Sequence, residues 1–160
     1  MSGLCLDAID RRLLATLQED GRLTNVELAE RIGLSPSPCL RRVRRLEDEG
    51  VVQGYRVALD RRRLGLDMTV FVSLTLEPGA CACADGVAAT LRRLRGLVAC
   101  HLVSGGCEFR LELVVPDLAS YDRLLTQHLL QLPGVRDIRS SFSIRTVAEA
   151  LPLTLDHLAR

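Results

Sequence analysis

Two hydrophobic periods divide the chain. Up to about Gly50 apolar residues recur three or four apart, and from Met68 onward runs of alternating apolar residues are separated by two further helical stretches. Ile9, Leu13, Leu14 and Leu17 form a stripe that predicts a helix from Asp7, its N-cap, to Glu19, stopped by Gly21. Thr24-Asn25-Val26-Glu27 is a capping-box pattern, in which hydroxyl and carboxylate satisfy each other's free amides. The helix it opens is expected to bury Val26, Leu28, Ala29 and Ile32 and to end at Gly33. Ser35-Pro36 places a cap before a proline at the first helical position, predicting a third helix that runs to about Glu49.

Beyond Gly50, Val51 to Val57 reads as a short hairpin or wing, and Asp60 to Leu66 as a hinge. Strands are predicted at Met68–Leu76, Leu97–Ser104, Phe109–Val115 and Val135–Val147. Between them lie helices carrying Val87, Leu91 and Leu94, and Leu118, Leu125 and Leu129. The order βαββαβ is a ferredoxin-like (αβ-plait) arrangement, so the fold class is α+β. A faint repeat supports it: Leu91-x-x-Leu94-x-Gly96-Leu97 returns as Leu129-x-x-Leu132-x-Gly134-Val135. The expected division is 1–59 for a helix-turn-helix unit, 60–67 for the hinge and 68–160 for the α/β unit. Both helices of such a unit cover one sheet face. Met68, Val70, Val72, Leu74 and the Phe109–Val115 alternation are expected to supply the uncovered face and to pair subunits across it.

Composition narrows the function. With 48% hydrophobic and 26% charged residues the chain is neither disordered nor a membrane protein by composition. No apolar run reaches the roughly 18 residues of a span, and Asp7, Asp10, Arg11 and Arg12 interrupt any signal-peptide core, so a cytoplasmic location is expected. Of six cysteines, Cys81 and Cys83 have a single residue between them and no matching second pair, which is not zinc spacing. The cysteines are therefore expected as small buried hydrophobes, with no metal or cofactor and a redox role the less favoured reading. His101, His128 and His157 are isolated, and His101 is expected as a packed strand residue. No nucleophile–base pairing or phosphate loop stands out, so no enzyme is expected.

The net charge of +1 hides a pattern, because all 21 basic residues are arginine and they cluster at Arg41, Arg42, Arg44, Arg45 and at Arg61, Arg62, Arg63. Ala29, small enough for close helix approach, and Gly33, tolerant of positive φ, have the mechanics of a helix-turn-helix. Projected on the third helix, Cys39, Val43 and Leu46 share one face with Arg42 on its flank, while Ser37, Pro38, Arg41, Arg44 and Arg45 face away. The candidate contacts to double-stranded DNA are thus Ser35, Ser37, Pro38, Arg41, Arg42, Arg44 and Arg45. The competing reading is a trihelical module with a merely solvated arginine face.

Several motifs run in one order along nearly the whole chain: Leu6-Asp7-x-x-Asp10, Asn25-Val26-Glu27-Leu28, Gly33-Leu34-Ser35-Pro36-x-Pro38-Cys39-Leu40, Arg42 to Glu47, Gln53-Gly54-Tyr55, His101 to Gly105, Val115-Pro116-Asp117 and Leu132-Pro133-Gly134-Val135. In these the chain resembles the Lrp/AsnC (feast-or-famine) transcription regulators. The resemblance implies a winged helix-turn-helix joined to an amino-acid-sensing α/β domain. It also implies homodimers that assemble into tetramers or octamers, with the effector bound between dimers near the loop 105–109. Glu108 and Phe109 stand where that family typically has Asp and Tyr.

An amino-acid pocket needs a charge acceptor, free amides and an apolar wall. Gly105, Gly106, Cys107 and Glu108 offer the first two, and Leu102, Leu118 and Phe142 are candidates for the wall. The resemblance adds Ser140, Ser141 and Ser143 on the final strand. The implied function is sequence-specific regulation of amino-acid metabolism genes under a small amino-acid effector. The alternative is an architectural, DNA-bending protein with little effector control.

Overall fold

The computed structural model describes residues 6–80 and 84–158, and Cys5, Cys81 and Cys83 lie outside them. The chain divides into two compact units, Met1–Ala58 with Ala148–Arg160, and Leu59–Val147.

Among its described residues the first unit holds three α-helices, α1 (Ala8–Glu19), α2 (Asn25–Ile32) and α3 (Pro36–Asp48), and a single 3-10 turn at Asp156–Leu158. Asp7 caps α1 through a capping box completed by Asp10, and Thr24 and Glu27 form the same device on α2. Gly33 takes the left-handed conformation (φ 74°), so that its amide and that of Leu34 bond back to α2 carbonyls and turn the chain into α3. The core is Leu13, Leu14, Leu28, Ala29, Ile32, Cys39 and Leu46. Val26, expected inside, is 61% exposed, because at the second position of α2 it lies a turn away from the Leu28–Ile32 stripe.

The expected wing does not form as a hairpin. Residues 51–57 contain no strand. The Val51 and Val52 amides both bond to the Leu46 carbonyl, which finishes α3 and leaves residues 53–57 without a ladder partner. Tyr55 instead donates its hydroxyl to Glu47 (3.0 Å). The C-terminal segment, expected to belong with the sheet, folds against α1. Gln18 donates to the Leu153 carbonyl (3.2 Å) and accepts from its amide (2.7 Å), and Leu155 is half-buried on the helical core.

The second unit begins with residues 59–66, where amides of Leu64, Gly65 and Leu66 close a hydrogen-bonded turn. Next come β1 (Met68–Leu76), α4 (Ala84–Leu91), β2 (Leu97–Val103), β3 (Glu108–Val115), α5 (Leu118–Leu124) with a π-helical extension (Leu125–Leu129), and β4 (Val135–Phe142). The sheet order β2-β3-β1-β4, antiparallel throughout, is that of a ferredoxin-like fold. β4 ends at Phe142 rather than Val147: beyond the Ser143 amide, which bonds to Thr69, only Met68 of β1 is left.

One expectation is reversed. Val70, Val72, Leu74, Phe109, Leu111, Leu113 and Val115 are buried together with Val87, Leu91, Tyr121, Leu124 and Leu129, so they lie under the helices. The other sheet face carries Phe71 (49% exposed), Ser73, Arg110 and Glu112, the last bonded to Arg61 at 3.1 Å. Alternation along a strand is twofold, so the row buried by the helices cannot also supply the open face.

Candidate DNA-reading face and effector loop

α3 presents an open groove lined by Ser37, Leu40, Arg41, Arg44, Arg45, Asp48 and Glu49. Its entry is fixed by Asn25, whose side-chain amide donates to the Pro36 carbonyl at 2.8 Å. Pro36 and Pro38 have no N–H and the Cys39 amide bonds to Ser35, so among the first helical amides only that of Ser37 remains. Anion contacts at this end must come from side chains. The Ser35 hydroxyl makes no capping bond, and Ser35 and Ser37 are exposed.

The four arginines of α3 divide into two pairs. Arg41 and Arg44 are exposed and make no ion pair with the described residues. Arg42 and Arg45, expected at the DNA, turn back onto α1. Arg42 Nη1 lies 2.7 Å from Asp7 Oδ2 and 2.8 Å from Asp10 Oδ1, and Arg45 Nη2 lies 2.6 Å from Asp10 Oδ2. The reason is helical geometry: Arg42 and Arg45 are three residues apart, as are Asp7 and Asp10, so two guanidiniums on one helix meet two carboxylates on the other. The Asp10 amide and, more weakly, the Arg42 guanidinium hold the Asp7 carboxyl below its usual range. The matching three-residue spacings were the signal in the sequence for this pairing.

The ten effector candidates do not form one pocket within the chain. Glu108 pairs with Thr75 across the sheet and Phe142 with Val70, so the loop and the end of β4 are separated by about 16 Å along β1 at the usual strand rise. One cluster is the loop. There Gly105 (φ 112°) and Gly106 (φ 145°) need glycine, Leu102 is exposed opposite Phe109, and Glu108 bonds Arg110 Nε at 2.7 Å. Cys107 is held in a disulfide, not as the free thiol expected of a reducing compartment. At the other end, Ser140 and Phe142 pair with Val72 and Val70 of the helix-covered row, Ser141 pairs with Phe71 of the open face, Ser143 follows beside Thr69, and Leu118 opens α5. Ser140 shares a hydrogen bond with the buried Tyr121 hydroxyl, and Phe142 stacks edge-on against the Tyr121 ring at 5.5 Å. Tyr121, not among the residues expected from sequence, organises that end. His101, expected to be packed, is exposed, because it lies on the open face of edge strand β2. Burial raises the pKa of the free Cys39 and Cys100 thiols, which disfavours thiolate chemistry at both. Among the described residues no helix is long and apolar enough to cross a membrane, and no group of three or more His, Cys, Asp or Glu could hold a metal.

Comparison with known proteins agrees with this architecture. Residues 6–53 match the family model for a winged helix-turn-helix DNA-binding domain, and 69–153 match that for the Lrp/AsnC ligand binding domain. The leucine-responsive regulatory protein of Salmonella typhimurium is 44% identical over 153 residues, covering 96% of this chain and 93% of its own. The same protein from Escherichia coli K12 gives the same figures. A Neisseria meningitidis transcriptional regulator solved as a complex with L-Met superimposes with a TM-score of 0.88 at 35% identity, over 96% of this chain and 99% of that one. An AsnC family regulator from Agrobacterium tumefaciens also gives 0.88, at 30% identity over 95% and 99%. With both family models in this order and full-length relatives, the chain belongs to the Lrp/AsnC family of DNA-binding transcription regulators.

Proposed function

We propose that this regulator reads DNA through the α3 groove, with Arg41 and Arg44 as its cations and Ser35, Ser37 and Pro38 at the entering end. The observation that carries this reading is the pair of exposed guanidiniums, Arg41 and Arg44, which have no ion-pair partner among the described residues and lie on the face turned away from the core. The protein acts in the cytoplasm on genes of amino-acid metabolism, as a homodimer that assembles into tetramers or octamers, and it is not an enzyme.

An amino-acid effector, as the L-Met complex of the Neisseria relative suggests, fits a site shared between subunits. Within one chain the loop 105–108 supplies amides and a carboxylate, while Phe142 lies at the far end of β1. A second copy brings these two ends together. The architectural reading draws support from Glu108, whose carboxylate is already engaged by Arg110. A thermal-shift screen of the twenty amino acids, then footprinting with and without the hit, separates the two. A ligand that both stabilises the protein and changes the footprint supports the regulator; no stabilisation by any amino acid supports the architectural protein.

A further inference from the structure

The least exposed charge in the described structure lies behind the reading helix. Asp10 has no accessible surface. Its Oδ1 accepts from Arg42 Nη1, and its Oδ2 accepts from Arg45 Nη2 and, at 3.1 Å, from the Asp7 amide. Asp7 returns the bond by accepting the Asp10 amide at 2.8 Å and shares Arg42 at 2.7 Å. The cap of α1 and the middle of α3 are therefore one hydrogen-bonded unit.

Apolar contacts are non-directional, and α3 buries only Cys39 and Leu46 fully. Such a helix can turn about its own axis at small cost. Charge-assisted bonds to a fixed carboxylate are directional and set that rotation. They also occupy two of four cations that would otherwise bind any phosphate within reach.

We propose that Asp10 is a positioning residue for DNA reading: it sets the rotation of α3 and withholds Arg42 and Arg45 from the phosphates, leaving Arg41 and Arg44 as the groove's unpaired cations. This rests on the docking of α3 proposed above. Its consequence is selectivity. Free of Asp10, Arg45 binds backbone anywhere and Arg42 is held by Asp7 alone, which strengthens attachment to random DNA relative to a selected site.

The test uses the full chain, a random duplex and a duplex selected from a random pool, each titrated with salt. Each neutralised phosphate contributes about 0.9 to the slope of log affinity against log salt. Arg41→Gln and Arg44→Gln are expected to flatten that slope by about 0.9 each on random DNA. Arg42→Gln and Arg45→Gln are expected to leave the slope unchanged while reducing preference for the selected duplex. Asp10→Asn is expected to steepen the slope by up to about 1.8 and to reduce the preference as well. A merely structural aspartate would weaken binding to both duplexes without steepening the slope, and that outcome in a folded Asp10→Asn protein overturns the proposal. If circular dichroism shows Asp10→Asn unfolded, Arg45→Gln decides, since Asp10 keeps Arg42. A slope flattened by Arg45→Gln as much as by Arg41→Gln overturns the clamp and leaves the docking intact. An unchanged slope in all four arginine variants overturns the docking and the clamp with it.

Discussion

The two units handle charge in opposite ways. The helical unit has seven buried apolar residues and, besides them, a buried carboxylate bonded to two arginines. The core of the α/β unit has twice as many buried residues, fourteen, and no charge; its ion pairs, among them Arg61–Glu112, Arg63–Asp60, Arg110–Glu108 and Arg139–Asp137, lie on partly or largely exposed side chains. A sheet fixes its geometry through backbone register, so its core needs only shape. Three short helices have no register to share, and here directional side-chain bonds supply the orientation. Ligand sites follow the same division. The proposed DNA-reading residues lie together along one helix, whereas the effector candidates are split between the two ends of a strand.

The sharpest way to break this contrast is in the sheet. Leu113→Ala removes a fully buried side chain from the α/β core and is expected to lower unfolding free energy by about 2–5 kcal/mol, read by urea titration. A loss near zero would mean that the sheet is not held by its core. Next come the reading cations: Arg41→Ala and Arg44→Ala should each weaken binding to a selected duplex by about 1–3 kcal/mol with unchanged thermal stability. Equal binding by both variants and the parent would remove the α3 groove from DNA recognition. Smaller still, Gln18→Ala deletes both bonds to Leu153, an effect of about 1 kcal/mol confined to the C-terminal segment. Hydrogen exchange at the Leu153 amide should accelerate while β1 stays protected; unchanged exchange would show that the segment is held by other contacts.

The smallest effect concerns the helix caps. Asp7, Glu27 and Asp117 all have lowered pKa values. For Asp7 the main cause is the Asp10 amide, for Glu27 the Thr24 hydroxyl and amide, and for Asp117 the Ser120 hydroxyl and amide. A folded-state pKa below the unfolded one adds stability that is complete above the unfolded value and lost as pH falls through the folded one. Urea midpoints should therefore decline below about pH 4 and stay level from there to pH 6. A midpoint that rises on acidification would contradict the capping roles.

What the sequence made legible was local. The capping box at Thr24–Glu27, the turn at Gly33 and the strand alternation of β1 and β3 depend on residues within one or two turns of each other, and each is found in the structure. What it hid was long-range. Asp10 reads locally as a first-turn carboxylate, and its arginines are 32 and 35 residues away. Gln18 and Leu153 are 135 apart. Val51–Val57 has the composition of a strand but no neighbouring strand to pair with, so this part of the winged helix-turn-helix forms no hairpin. The effector candidates share a chemistry but not a place, since the register of β1 with β3 and β4 sets them at opposite ends.

On this view the DNA face is complete in one subunit, while the effector site requires two. Sedimentation across a dilution series, with and without the amino acid that gives the largest thermal shift, tests that difference most directly. The ligand is expected to move the equilibrium toward assembled forms, and the dissociated subunit is expected not to bind it. A monomer that binds the amino acid with undiminished affinity would contradict the division.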